Sequence, residues 1–192
     1  MKTRLPFAAL ALVSAGLAAG PATAQNLDAH EHGRGTLNIV LDGKRLTLEL
    51  EAPADDITGF EHRPETAEEK AKLDAALALL GDPAKLFALP AEAGCIHAGG
   101  KTETGLRQEH DGHADKTRDG HGHNEHKEHD EDGHAEFHVH HDFDCTNPGA
   151  LGYLEVKLFA AFPSFHEIDV QYIVGAKQGA AELEHARTRI DF

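Results

Sequence analysis

The sequence predicts an α+β fold: an antiparallel sheet of five or six strands packed with one main helix, with a long disordered histidine-rich loop inserted. Three observations carry that expectation. Runs of alternating polar and apolar residues stand on both sides of a polar middle segment, one capped helical stretch interrupts them, and residues 110–134 hold no aliphatic side chain larger than alanine. Alternation at a period of two marks half-buried strands, and a lone amphipathic helix among strands covers a sheet face.

The elements follow in order. Lys2 and Arg4 precede an apolar stretch from Leu5 to Ala19 and the small-residue site Ala22-Thr23-Ala24, the three-part pattern of a signal peptide over residues 1–24. That apolar run is short for a span of about 20 residues. No second candidate follows, so no membrane insertion is expected after cleavage. Residues 25–192 are then expected to form one domain, most simply in a bacterial periplasm.

Within it, "TLNIVLDGKRLTLELEAP" alternates on both sides of Asp42-Gly43, a hairpin signal because Asp-Gly supports the positive φ angles of a tight turn. Leu37, Ile39 and Leu41 share one face of the first strand, and Leu46, Leu48 and Leu50 one face of the second. In "PETAEEKAKLDAALALLGDP", Thr66 and Glu69 make a capping box and Gly81 with Pro83 a stop, while Leu73, Leu77 and Leu80 recur at helical spacing. A short helical turn at "DPAKLFALP" is expected next.

Residues 100–134 lack the apolar surface needed to offset chain entropy and are expected to form the disordered loop. Beyond them, "AEFHVHHDFDC" puts Phe137, Val139, Phe143 and Cys145 on one face and His138, His140 and Asp142 on the other. "GYLEVKLF" and "EIDVQYIV" read as two further strands, and "GAAELEHARTRIDF" as an edge strand or a loose tail. Cys95 and Cys145, the two cysteines of the chain, both lie in the exported part and are expected to form a disulfide across the ends of the loop.

The formal charge is −15, and loss of Lys2 and Arg4 with the signal peptide takes it to −17. Nucleic acid and anionic membrane are poor partners for such a surface, and cations are good ones.

The chemistry sits in imidazole. Seven histidines crowd residues 110–134: His110, His113, His121, His123, His126, His129 and His134. Neutral imidazole and carboxylate are ligands for zinc and other late divalent metals, and these short spacings let one segment supply several donors. His138, His140 and His141 continue the series into a strand. Overlapping donor sets predict more than one divalent ion per chain at moderate affinity, because ordering the loop costs entropy. Zinc is the favoured ion, with copper or nickel as alternatives. Sharper candidate donors outside the loop are His30 and His32 in "DAHEHG", Glu61 and His62 in "GFEHRP", and His166 and Glu167 in "FPSFHEIDV". If the N-terminal segment lies beside the strand of His138 and His140, distant residues combine into a tighter site. His97 and His185 stand outside the candidate set.

No His-Glu-x-x-His helix, Gly-x-Ser-x-Gly elbow or phosphate-binding glycine loop occurs, and no catalytic residue is expected. His138-x-His140-x-Asp142 begins like the motif of metallo-β-lactamase-like hydrolases, but Phe143 stands where that motif needs histidine.

"HEHG" followed by "LNIVLDG" and "LELEAP", then "GFEHRPETAEEKAKLDAALALL", "LFALPAEAGC", the histidine tract and "LFAAFPSFHEIDVQYI" together resemble the ZrgA-like family of zinc-regulated periplasmic proteins. The resemblance implies a periplasmic zinc-binding protein that assists zinc acquisition alongside a high-affinity ABC-type importer. Two other readings remain open from the residues: a buffer against excess copper, nickel or zinc, and a pH-responsive interaction module driven by its sixteen histidines.

Overall fold

The computed structural model describes residues 31–107 and 135–192. The expected signal peptide, His30 and the seven tract histidines lie outside the described residues.

The hairpin forms as its alternation requires. β1 (Arg34–Asp42) pairs antiparallel with β2 (Arg45–Pro53), Gly43 and Lys44 making the turn, and Leu37↔Leu50, Ile39↔Leu48 and Leu41↔Leu46 lie opposite one another. All six leucine and isoleucine side chains are buried. A short helix α1 (Ala54–Thr58) leads to the main helix α2 (Ala67–Leu80), which starts where the sequence marks it. The Thr66 hydroxyl accepts from the Glu69 N–H at 3.1 Å, and the Glu69 carboxylate accepts from the Thr66 N–H at 2.9 Å. Gly81 closes the helix in a right-handed conformation. The buried stripe is Leu73, Ala76 and Leu80, with Leu77 half-buried.

The expected turn follows as α3 (Pro83–Leu86), then β3 (Phe87–Ala88) and β4 (Cys95–Thr104). After the tract come β5 (Glu136–Cys145), β6 (Tyr153–Val156), α4 (Leu158–Ala161), β7 (Glu167–Val174), β8 (Lys177–Glu184) and β9 (Arg189–Asp191). The stretch read as edge strand or tail thus supplies both β8 and β9.

Two findings correct the expected all-antiparallel single sheet. The six-stranded sheet runs β4-β5-β2-β1-β7-β8 and is mixed, because β1 and β7 pair in parallel from Arg34↔Glu167 to Leu41↔Val174. Alternation along β7 fixes which side chains face the core but not the direction of the neighbouring strand. Secondly, β3, β6 and β9 form a separate three-stranded sheet. β3 and β9, of two and three residues, fall below the length at which periodicity distinguishes a strand from a turn, and the alternation of β6 marks a strand without naming its sheet.

β4 also runs to Thr104, five residues into the segment expected to be disordered. Its backbone pairs with β5 from Cys95↔Cys145 to Thr104↔Phe137, and an edge strand held by ladder hydrogen bonds needs little apolar surface of its own. The Cys95–Cys145 disulfide is present and closes this hairpin at the end away from the tract. One hydrophobic cluster joins the inner face of the large sheet to the α2 stripe, to Leu86 and Phe87, and to Leu154, Val156 and Ile190 of the small sheet. Among the described residues no helix is long and apolar enough to cross a membrane.

Candidate metal centre

The register brings several chain segments to one end of the large sheet. β1 begins there at Arg34, β2 ends at Pro53, β5 begins at Glu136 opposite Pro53, and β4 ends at Thr104 opposite Phe137. β7 begins at the same end with Glu167 opposite Arg34. Both strands that lead into the tract therefore meet the N-terminal segment and the lead into β7 at a single edge of the fold.

Gly33 organises the first group of donors. Its φ of 84° lies in the left-handed region, and a Cβ there would meet the His166 ring at 2.6 Å, so only glycine lets the two segments close. The Gly33 carbonyl accepts from the backbone N–H groups of His166 and Glu167 at 2.7 and 3.0 Å. Its own N–H donates to the Asp56 carboxylate at 2.7 Å. Burial pushes the Asp56 carboxyl above its ordinary range, opposed by that bond from Gly33. Beside it His32 Nδ1 lies 3.6 Å from Asp55 Oδ2 and 3.8 Å from Glu61 Oε1. One imidazole and two carboxylates so spaced form a mixed nitrogen and oxygen donor set of the kind zinc takes. Closing this set around one ion requires the Asp55 and Glu61 carboxylates, which flank the imidazole, to move toward each other.

A second group lies on the outer face of β5 and β2. Strand alternation puts Glu136, His138, His140 and Asp142 on one side of β5, and the pairing sets Glu51 opposite His138 and Glu49 opposite His140. Each imidazole then stands between two carboxylates. His138 Nδ1 lies 3.7 Å from Glu51 and its Nε2 3.6 Å from Glu136, while His140 Nδ1 lies 3.4 Å from Glu49 and its Nε2 3.3 Å from Asp142. The Thr47 hydroxyl donates to Asp142 at 2.8 Å and, with His140, holds that carboxyl below its ordinary range. This ladder begins at Glu136, one residue after the described chain resumes at Ala135.

The remaining candidates are placed elsewhere. His62 stacks on Phe60 and sits 3.8 Å from Glu69, beside the α2 cap. His141 shares the buried face of β5 with Val139 and Phe143 and is 1% exposed. Burial pushes its imidazole below the ordinary histidine value. N-terminal donors and the His138 and His140 strand reach the same sheet end without lying side by side, since β2 runs between β1 and β5. His185 packs its ring on Phe159.

Sequence reasoning missed Glu49, Glu51, Asp55 and Asp56. The alternation in "LTLELEAP" contains the signal for the first two, because residues between the buried leucines must face the histidine side of the sheet. It also missed Glu167, Asp169 and Glu182 as a cluster, whose oxygens lie within 4.8 Å of one another. Arg34 already stands in that cluster, 2.8 Å from Glu167 and 3.3 Å from Asp169, and neutralises part of its charge.

A search of curated proteins finds no match to the chain. A comparison with protein families matches residues 29–192, the whole of the described fold and the intervening tract, to the family described as ZrgA family zinc uptake protein. The chain belongs to the ZrgA family of zinc uptake proteins.

Proposed function

We propose that this is a non-enzymatic periplasmic protein that gathers zinc and passes it to a high-affinity ABC-type importer. Zinc is the cargo. The tract histidines and carboxylates collect ions from a dilute pool, and the ordered donors His32, Asp55 and Glu61, with the His138 and His140 ladder, hold them more tightly because their geometry is set before binding. The observation that carries this reading is that the His32 group and the near end of the ladder, Glu136 and His138, lie at the sheet end where β4 and β5 lead into the tract. Ions captured by the tract thus reach ordered ligands without leaving the protein. Membership of a zinc uptake family and a disulfide both fit an exported protein with this task.

The test is made in cells. Deleting the protein is expected to slow growth under zinc chelation, and to add nothing further once the importer is also deleted. A deletion that hurts growth only in excess copper, nickel or zinc would replace the acquisition role with buffering. A change of oligomeric state with pH that is equal with and without chelator would instead favour the interaction module.

A further inference from the structure

A separate pair of imidazoles lies on the opposite side of the β4–β5 hairpin from the His138 and His140 ladder. His141 Nε2 lies 2.9 Å from the Leu80 carbonyl oxygen. A carbonyl only accepts, so Nε2 carries the proton and Nδ1 presents a lone pair. That Nδ1 faces His97 Nε2 at 3.3 Å. Without metal, His97 Nε2–H can donate to this lone pair. The separation matches the ~3.3 Å between two nitrogens bound at about 2.0–2.1 Å to one tetrahedral zinc.

The chain builds this arrangement with specific devices. A bulge between His97 and Gly99 adds one residue to β4, so that His97 lies opposite Phe143 and Gly100 opposite His141 on the same side. Bulges re-aim side chains in this way. Gly100 leaves the approach to His141 open, since a Cβ there would stand 2.6 Å from Nδ1. His97 is exposed and supplies the solvent side, whereas His141 is anchored in the core by the α2 carbonyl. A ligand imidazole whose other N–H is held by a backbone carbonyl is the arrangement that fixes tautomer and ring orientation at metal sites.

We propose that His97 Nε2 and His141 Nδ1 form a two-imidazole site for one late first-row divalent cation, with water completing its shell. This pair supplies nitrogen where the sheet-end groups supply mostly oxygen, so it favours the softer end of the divalent series. Its role as a holding place for cargo rests on the metal-gathering function proposed above, but its existence is tested separately.

The test uses the full mature chain, stripped of metal, labelled with nitrogen-15 in its histidines and titrated with zinc while each ring nitrogen is followed by long-range proton–nitrogen correlation. The His97 Nε2 and His141 Nδ1 signals are expected to move together and saturate at one ion per pair. In His97→Asn, a change at an exposed position that leaves the core intact, the movement at His141 Nδ1 should be lost while other imidazoles still respond. Unmoved His97 and His141 signals at zinc saturation of the remaining histidines would overturn the site and leave the metal-gathering function standing. If no imidazole of the chain responds, both fall together.

Discussion

Gly33 shows how a single residue without a side chain positions chemistry. Its left-handed backbone and its contact with the His166 ring bring His32, Asp56 and the start of β7 to one point. Gly33→Ala is expected to cost about 1–3 kcal/mol of stability from backbone strain alone, read as a lower denaturation midpoint, and to weaken the tightest zinc site. His32→Ala and Glu61→Gln leave the fold in place and are expected to weaken that site by about tenfold or more, the scale seen when even outer-shell partners of a metal are removed. Competition with a chromophoric zinc chelator measures it; unchanged affinity in both variants would move the tight site elsewhere. At this scale the sequence was half legible. The histidines of "HEHG" and "FPSFHEIDV" stand out as donors, yet nothing local pairs His32 with Asp55, which lies over twenty residues away across the β1–β2 hairpin.

The best-specified element is α2. Thr66, Glu69 and the leucine spacing announce it, and the capping box forms between the residues that the pattern names. Thr66→Ala is expected to cost about 1 kcal/mol, measured by urea unfolding. Glu69 gives a pH dependence of known sign. The backbone N–H groups of Thr66 and Glu65 hold its carboxyl below the ordinary 4.5. A lowered carboxyl pKa contributes stability that is present above 4.5 and lost as pH falls through the lower folded value. Glu69→Gln keeps an acceptor for the same N–H groups but does not titrate there. The variant should therefore lose less melting temperature than the parent between pH 5 and pH 3; an equal loss would show that the cap carries no ionic share. Strands were legible for a different reason: the leucines of β1 and β2 and the phenylalanines of β5 alternate cleanly. Their partners were not. The parallel pairing of β1 with β7 and the three short strands of the second sheet depend on contacts between distant segments that side-chain periodicity does not encode.

Across the whole molecule, the disulfide and the acidic surface define the setting in which metal is bound. Cys95 and Cys145 are separated by 50 positions and close the β4–β5 hairpin that carries the tract. Restricting a loop of that length in the unfolded chain stabilises the fold by about 4 kcal/mol in the chain-entropy description. Replacing both cysteines by serine is expected to lower the guanidinium midpoint accordingly while zinc uptake by the folded protein persists. Imidazole must lose its proton to bind metal, so bound zinc should be released as pH falls through about 6 to 5. The main helix, the β1–β2 hairpin and β5 were readable from composition and pattern, because each depends on local residue choice. What pattern left open is the meeting of distant segments at one end of the sheet, a property of topology alone. The most direct measurement is a zinc titration of the metal-free mature protein at neutral pH, with bound metal counted by elemental analysis. Uptake of at least two equivalents at micromolar or tighter affinity is expected, whereas less than one equivalent would remove the basis for a zinc-gathering role.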